Sequence, residues 1–255
     1  MIHKRKDQIE WLEFSLLQPF KELAHGVFLR KGGVSASPFA TLNFGMNVGD
    51  DKEAVKRNRQ LACDALNLSM LAAGTQVHGT AIAQVDGNHY NAIGDCDGLI
   101  TQEEEIGLLV CHADCQAAIF FDPKHRVVAN IHCGWRGCAQ NIYAKTVALF
   151  QEKYGSDPTD LIVCISPSLG PKAAEFVNYK QELPEGFLPF KISDHHFDFW
   201  EIAKWQLLNA GVRLENMEIA QQCTLEEKTN FFSFRREKKT GRQGTVVGFK
   251  KTCEH

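Results

Sequence analysis

The chain has 255 residues, of which 44% are hydrophobic and 23% charged, with a formal net charge of −3. That composition supports a sizeable core, excludes general disorder, and supplies no strong field to hold nucleic acid or an anionic membrane. No apolar run approaches the roughly 18 residues of a membrane span, and Asp7, Gln8 and Glu10 fall where a signal peptide would carry its apolar stretch.

A cytoplasmic globule is therefore expected. No linker, low-complexity tract or internal repeat interrupts the sequence, and one domain over 1–255 is expected. Residues 53–67 place Ala54, Leu61, Ala65 and Leu66 at helical spacing, with Asp50 and Asp51 as N-cap candidates. Residues 80–85 read as a strand. Residues 106–112 and 116–121 are short apolar runs suited to buried strands, interrupted by Ala113-Asp114-Cys115, and residues 126–132 read as another strand. Gly134-Trp135-Arg136-Gly137 leads into a helix over about 139–152, with Trp135 expected in the core. A buried strand over 161–166 precedes Pro167, Gly170 and Pro171, and a helix over 198–210 stops at Gly211. Strands near 217–221, 230–236 and 244–249 follow, the last two flanking a hairpin turn at Lys238-Lys239-Thr240-Gly241. The basic residues from Arg235 to Arg242 read as a solvated hairpin rather than a nucleic-acid surface. Strands and helices are mixed without strict alternation, which predicts a single layered α/β (α+β) domain of mixed β-sheets flanked by helices.

Nine cysteines occur, none in the two-residue spacing of a zinc finger. Disulfides are not expected in a chain of this kind. Three short segments stand out: Thr75-Gln76-Val77-His78-Gly79, Cys111-His112-Ala113-Asp114-Cys115 and Ile131-His132-Cys133-Gly134-Trp135-Arg136-Gly137. Each lies at a strand terminus, where small neighbours let backbones approach and aim polar side chains into one cleft. Two imidazoles and a thiolate with one open position would suit a catalytic zinc. Taken singly, each His is more often paired to a backbone carbonyl and each Cys more often a small buried hydrophobe than a ligand.

Gln-Val-His-Gly at 76–79, Ala-Asp-Cys at 113–115 and His-Cys-Gly-Trp-Arg-Gly at 132–137 together resemble the laccase-domain family. Its YfiH-like members have been called multicopper polyphenol oxidoreductases and purine nucleoside phosphorylases. The resemblance runs from about residue 24 to 249. It includes Ser37 to Gly45, Val48-Gly49-Asp50-Asp51, Val55 with Asn58-Arg59, and Leu169-Gly170-Pro171. It continues through Asp198, Gln206-Leu207, Gly211-Val212, Cys223-Thr224, Phe231 to Arg236 and Thr240-Gly241-Arg242. The resemblance implies a zinc site of His78, Cys115 and His132 and a fold of the YfiH-like cysteine hydrolase kind. It also implies purine nucleosides and phosphate as small-molecule partners. The chain departs from the family pattern at His112, where Thr is usual, and at Gln116, where Pro is common. Cys111 and Cys133 add thiols beside the ligand segments. These neighbours are expected to point away from the cleft if segment 111–115 is extended.

Multicopper chemistry needs a blue-copper centre and further imidazoles. The ten histidines include several isolated ones (His3, His25, His89, His125 and His255), and no His-x-His pair is present. Zinc is the expected metal, with copper the less favoured alternative. Two reactions on nucleosides suit one zinc: phosphate attack on the anomeric carbon, or attack of an activated water on purine C6. Arg59, Arg136 and Arg242 are candidate anion holders and Asn43 a candidate polar contact. Each also has a plain structural reading: Arg59 as a solvated helix residue, Arg136 as partner of a carboxylate, Arg242 as part of a wet turn. Asp114 is either an orienter of a ligand or a turn cap. Competing functions are a cysteine hydrolase using Cys115 with His78 or His132 as base, a peptidoglycan-precursor editing factor, and a non-catalytic metal-stabilised binding module.

Overall fold

The computed structural model describes residues 1–87 and 93–251. In chain order the strands and helices are β1 (Ile2–Lys6), β2 (Ile9–Glu13), β3 (Leu23–Phe28), α1 (Lys52–Leu66), β4 (Met70–Ala72), β5 (Ile82–Gln84), β6 (Gly98–Thr101), β7 (Ile106–His112), β8 (Gln116–Asp122) and β9 (Val127–Cys133). They continue with α2 (Trp135–Ala139), α3 (Ile142–Tyr154), β10 (Ile162–Ile165), α4 (Tyr179–Glu182), α5 (Phe199–Asn209), β11 (Met217–Ile219), α6 (Phe234–Glu237) and β12 (Gln243–Phe249). Two six-stranded sheets result, in the orders β1-β2-β3-β12-β7-β4 and β11-β10-β8-β9-β6-β5. Both are mixed. In the first, β4 alone runs parallel to its neighbour; in the second, β5 and β11 do at the two edges.

Side-chain alternation on the strands sorts the core into three layers. Val246 of β12 and Leu109 of β7 pack with Ala62 and Leu66 of α1 on the outer face of the first sheet. Val247, Phe249 and Leu108 meet Ile119, Phe121 and Val128 between the sheets. Ala118 and Phe120 of β8 face α3 and α5 through Val147, Phe150, Ile202 and Leu207. The order is helix, sheet, sheet, helices, as two mixed sheets flanked by helices should be. Asn130 bridges the sheets, its Nδ2 donating to Leu108 O and Thr245 O at 2.8 Å each.

Local signals explain the element ends. Asp51 caps α1, accepting from Glu53 N at 3.1 Å. Asp198 caps α5, and Gly211, at φ +96°, follows its end as the sequence suggested.

Four expectations need correction. The helix expected at 139–152 is two helices, α2 and α3, broken at Asn141, which adopts φ +55° and caps α3. Residues 230–236 form no strand. Phe231 and Phe232 are both buried, and the Gln243 side chain takes the place of a partner strand, accepting from Phe232 N at 3.1 Å and donating to Phe232 O at 3.0 Å. Ser233 then starts α6, so no hairpin forms at 238–241. Nor is the basic cluster simply solvated: Arg236 donates to the carbonyls of Thr224, Leu225 and Phe231, each at 2.8 Å. The eight described cysteines are free thiols; Cys253, like His89 and His255, lies outside the described residues.

Candidate metal centre

The C-terminal ends of β7 and β9 and the N-terminal ends of β6 and β8 meet at one end of the sheets. There the three segments singled out by sequence converge. The Nε2/Nδ1 and Sγ atoms of His78, Cys115 and His132 lie within 4.8 Å of one another. Cys115 Sγ is 3.9 Å from His78 Nε2, and the two imidazole rings stand edge-on, 4.9 Å apart at 87°. Burial alone would lift the Cys115 thiol, but His132, and after it His78, bring it down to about 6. Burial alone would lower His132; Cys115 and Asp97 carry it up to about 10. Without a metal the pair is a thiolate facing an imidazolium, and a cation bound there takes the proton's place.

The residues fit a zinc ion. Ligand atoms around tetrahedral zinc stand about 3.3–3.6 Å apart, from bond lengths of roughly 2.0–2.3 Å. The ligand atoms here stand within 4.8 Å of one another, with Cys115 Sγ and His78 Nε2 at 3.9 Å. The backbone leaves room for them at Gly134, where a Cβ would sit 2.6 Å from His78 Cδ2 and 3.3 Å from Cys115 Sγ. Gly134→Ala is accordingly expected to weaken any metal binding at this cluster by ~10-fold or more with an unchanged circular dichroism spectrum. Unaltered affinity would show that the His78 ring can move aside.

Asp97 is the residue that sequence reasoning missed. It is almost fully buried, and its Oδ1 lies 2.8 Å from His132 Nδ1. The same carboxylate accepts from three successive backbone N–H groups, Val77 at 3.2 Å, His78 at 3.0 Å and Gly79 at 2.6 Å. That nest holds His78 at φ +60°, a left-handed conformation uncommon for a non-glycine residue. One carboxylate thus orients both imidazoles. The rule that a ligating His hands its second N–H to a carboxylate predicts such a residue without saying which Asp it is.

Cys115 borders two cavities. On one side, a cavity of about 490 Å³ is lined by Arg59, Arg242, His78, His112 and His132, with no carboxylate among its described residues. On the other, a cavity of about 320 Å³ is lined by Cys133, Trp135, Phe176, Phe199, Asn178 and Glu182. Cys115 is the single residue common to both.

The other residues singled out fall into place around them. Arg59 donates through Nε and Nη2 to Phe44 O at 3.1 and 2.9 Å. Arg242 donates from Nη1 to Thr240 O and Gly241 O at 2.9 and 3.0 Å. Asn43 is fully buried. Its amide donates to Asp50 and Gly45 O, and its Oδ1 accepts from Gly45 N and, at 2.9 Å, from Arg242 N. Its polar atoms are thus spent on Gly45, Asp50 and the backbone of Arg242. Arg136 is exposed, stacks on the Trp135 ring at 4.7 Å, and lines neither cavity. Asp114 caps a turn, accepting from Thr224 Oγ1 at 2.8 Å and Arg235 N at 2.6 Å. Its φ of +89° breaks the extension of segment 111–115, so alternation does not turn the neighbours away. Cys111 and His112 border the first cavity, Gln116 and Cys133 the second. His112 stays outside the ligand cluster, its Nε2 2.8 Å from Thr245 Oγ1. Trp135 is half-buried beside a cavity rather than in the core.

A partly buried His–Cys–His cluster that could hold a metal ion lies at one end of two mixed sheets, and the chain belongs to the multi-copper polyphenol oxidoreductase laccase family, whose model matches residues 24–250. Its relatives carry a different name. The chain is 34% identical over 250 residues to purine nucleoside phosphorylase YlmD of Geobacillus stearothermophilus, covering 90% of this chain and 91% of that protein. It is 33% identical over 231 residues to a purine nucleoside phosphorylase of Haemophilus influenzae, covering 86% and 91%. The crystal structure of YlmD from Geobacillus stearothermophilus superposes with a TM-score of 0.88 at 32% identity, over 98% of this chain and 99% of that one. Bacillus licheniformis YfiH superposes with a TM-score of 0.87 at 26% identity.

Proposed function

We propose that this protein is a zinc-dependent enzyme that cleaves purine nucleosides with phosphate. The observation that carries the reading is the His78–Cys115–His132 cluster opening onto a cavity that holds two guanidinium groups and no carboxylate among its described residues. The names of relatives matched over nine-tenths of their length support it. Among the described residues this is the one cluster of three or more such ligands, which suits a single ion better than several coppers. Two imidazoles and a thiolate suit zinc. A reducing, cytoplasmic setting, in which Cys115 stays a thiolate, belongs to the same reading.

His78, Cys115 and His132 would hold the ion, which when bound supplies a Lewis acid beside the reacting sugar. Arg242 spends Nη1 on two carbonyls and leaves its other N–H donors to phosphate, with Arg59 lining the same cavity; such charge-assisted forks suit a tetrahedral anion. A phosphate oxygen attacks the anomeric carbon, and the C–N bond breaks with its electron pair leaving on the base. The base takes up a proton, and ribose 1-phosphate is the second product. Adenosine deamination, with water replacing phosphate, is part of the same reading. Asp97 keeps the Nδ1 proton of His132 turned away from the ion, so that Nε2 presents a lone pair.

Turnover of adenosine, inosine, guanosine and methylthioadenosine, with and without phosphate, tests the reading. Release of free base that requires phosphate is expected; no release from any nucleoside would contradict it. Arg242→Ala should raise the KM for phosphate about 10- to 150-fold, the range for one lost charge-assisted contact. Arg136→Ala should leave that constant within about twofold, as an exposed side chain off the cavity does. A large effect of Arg136→Ala alone would move the phosphate to the outer face of α2.

One observation favours a second reading. Cys115, His132 and Asp97 also stand in the order nucleophile, base, orienter. A cysteine hydrolase would be most active after chelation and would lose activity on alkylation; a zinc enzyme would lose activity on chelation.

A further inference from the structure

We infer that the cavity on the Trp135 side of Cys115 is the nucleobase subsite, so that a nucleoside lies across the Cys115 side chain with its reacting carbon turned towards the arginine-lined cavity. The inference rests on the phosphorolytic reading above and says where each half of the reaction is held.

Charge sorts the two cavities. The arginine side presents Arg59 and Arg242 and no acid. The other side presents Asp114, Glu175 and Glu182 against a single Arg235, whose Nη1 stands 4.0 Å from Glu175. An anion entering the second cavity meets net negative charge, whereas a neutral heterocycle does not. Aromatic surface sorts them the same way. Ten phenylalanines of this chain, Phe14, Phe120 and Phe249 among them, are fully buried, whereas Phe176 and Phe199 are half-buried and line the cavity. Phe176 stands 6.2 Å from Trp135 at 69° and 5.1 Å from Phe199 at 33°. Part of each ring is left to face whatever enters, and flat rings are what a base stacks on.

The rim supplies hydrogen-bond groups. Asn178 caps the start of α4 without using its side chain, and Glu182 ends that helix four residues on. Both line the cavity, and neither side chain has a hydrogen-bond partner among the described residues. The Asn178 amide and the Glu182 carboxylate can each accept from ring N–H or exocyclic amino groups, and the amide can also donate to a ring nitrogen or carbonyl. Because Cys115 is the one residue lining both cavities, a base on one side and phosphate on the other place the bond between them at the metal ligand.

The test titrates hypoxanthine and inorganic phosphate separately into the zinc-loaded protein, measures binding by calorimetry, and compares the steady-state KM values of inosine and phosphate. Phe176→Ala should weaken hypoxanthine binding and raise the inosine KM about 5- to 140-fold, the range for losing one stacking contact. It should leave the phosphate constant within about twofold. Asn178→Ala, at an exposed position that endangers no packing, should move the same inosine constant about 2- to 12-fold. Arg242→Ala should do the reverse of both. Hypoxanthine binding that ignores Phe176 and Asn178 but falls in Arg242→Ala overturns the assignment. Hypoxanthine binding that depends on Phe176, in a protein that never turns over nucleosides, upholds the subsite and overturns the phosphorolytic reading. Phosphorolysis that persists with hypoxanthine binding indifferent to all three variants overturns the subsite and leaves the reaction standing.

Discussion

Cys115→Ala is expected to purify without zinc and to lose nucleoside cleavage by about a thousandfold or more. The thiolate is the charged member of the ligand set, and removing it leaves only the two imidazoles, 4.9 Å apart. Metal-ion stabilisation of developing charge is worth several kcal/mol, which at about 1.4 kcal/mol per decade gives that loss. The fold should survive, because Cys115 lies in the turn after β7 and borders two cavities rather than the core. Elemental analysis alongside a phosphate-dependent assay checks both halves. Full turnover with zinc retained would remove Cys115 from the ligand set.

Asp97→Asn should weaken zinc binding about 10- to 100-fold, the usual effect of losing the carboxylate behind a ligating His. The isosteric amide can keep its oxygen for the N–H groups of Val77 and Gly79. Its NH2 then faces both His132 Nδ1 and His78 N, which share the other oxygen of Asp97, so that a donor faces a donor at each. Competition with a chromogenic chelator reads the affinity directly, and thermal unfolding of the metal-free protein controls for a merely structural loss. Equal affinity in the two proteins would show that Asp97 holds the loop but not the imidazole.

Much of this architecture could be read before any coordinates. The runs at 106–112 and 116–121 are apolar on both faces because each strand lies between two packed layers. Asp51 and Gly211 mark helix ends by their own chemistry. What escaped did so for physical reasons. β1 is an exposed edge strand of sequence Ile-His-Lys-Arg-Lys, and charge on an edge hides the alternation that marks a strand. Residues 230–236 look like a strand because Phe231 and Phe232 are buried, yet their backbone pairs with the Gln243 amide. In the site, His78, Cys115 and His132 emerged through family resemblance, their spacing alone being a weak signal. Asp97 did not, because its partners are backbone N–H groups about twenty residues away and an imidazole 35 residues on. Nothing in a linear pattern tells Arg136, which points to solvent, from Arg242, which is set inward by Asn43.

The central claim is that one zinc sits on two nitrogens and one sulfur from this chain. X-ray absorption at the zinc edge on protein purified without added metal, together with elemental analysis, tests it most directly. The predicted result is about one zinc per chain with a single sulfur near 2.3 Å and nitrogen neighbours near 2.0–2.1 Å, the sulfur vanishing in Cys115→Ser. Several coppers per chain, or a zinc shell without sulfur, would contradict it.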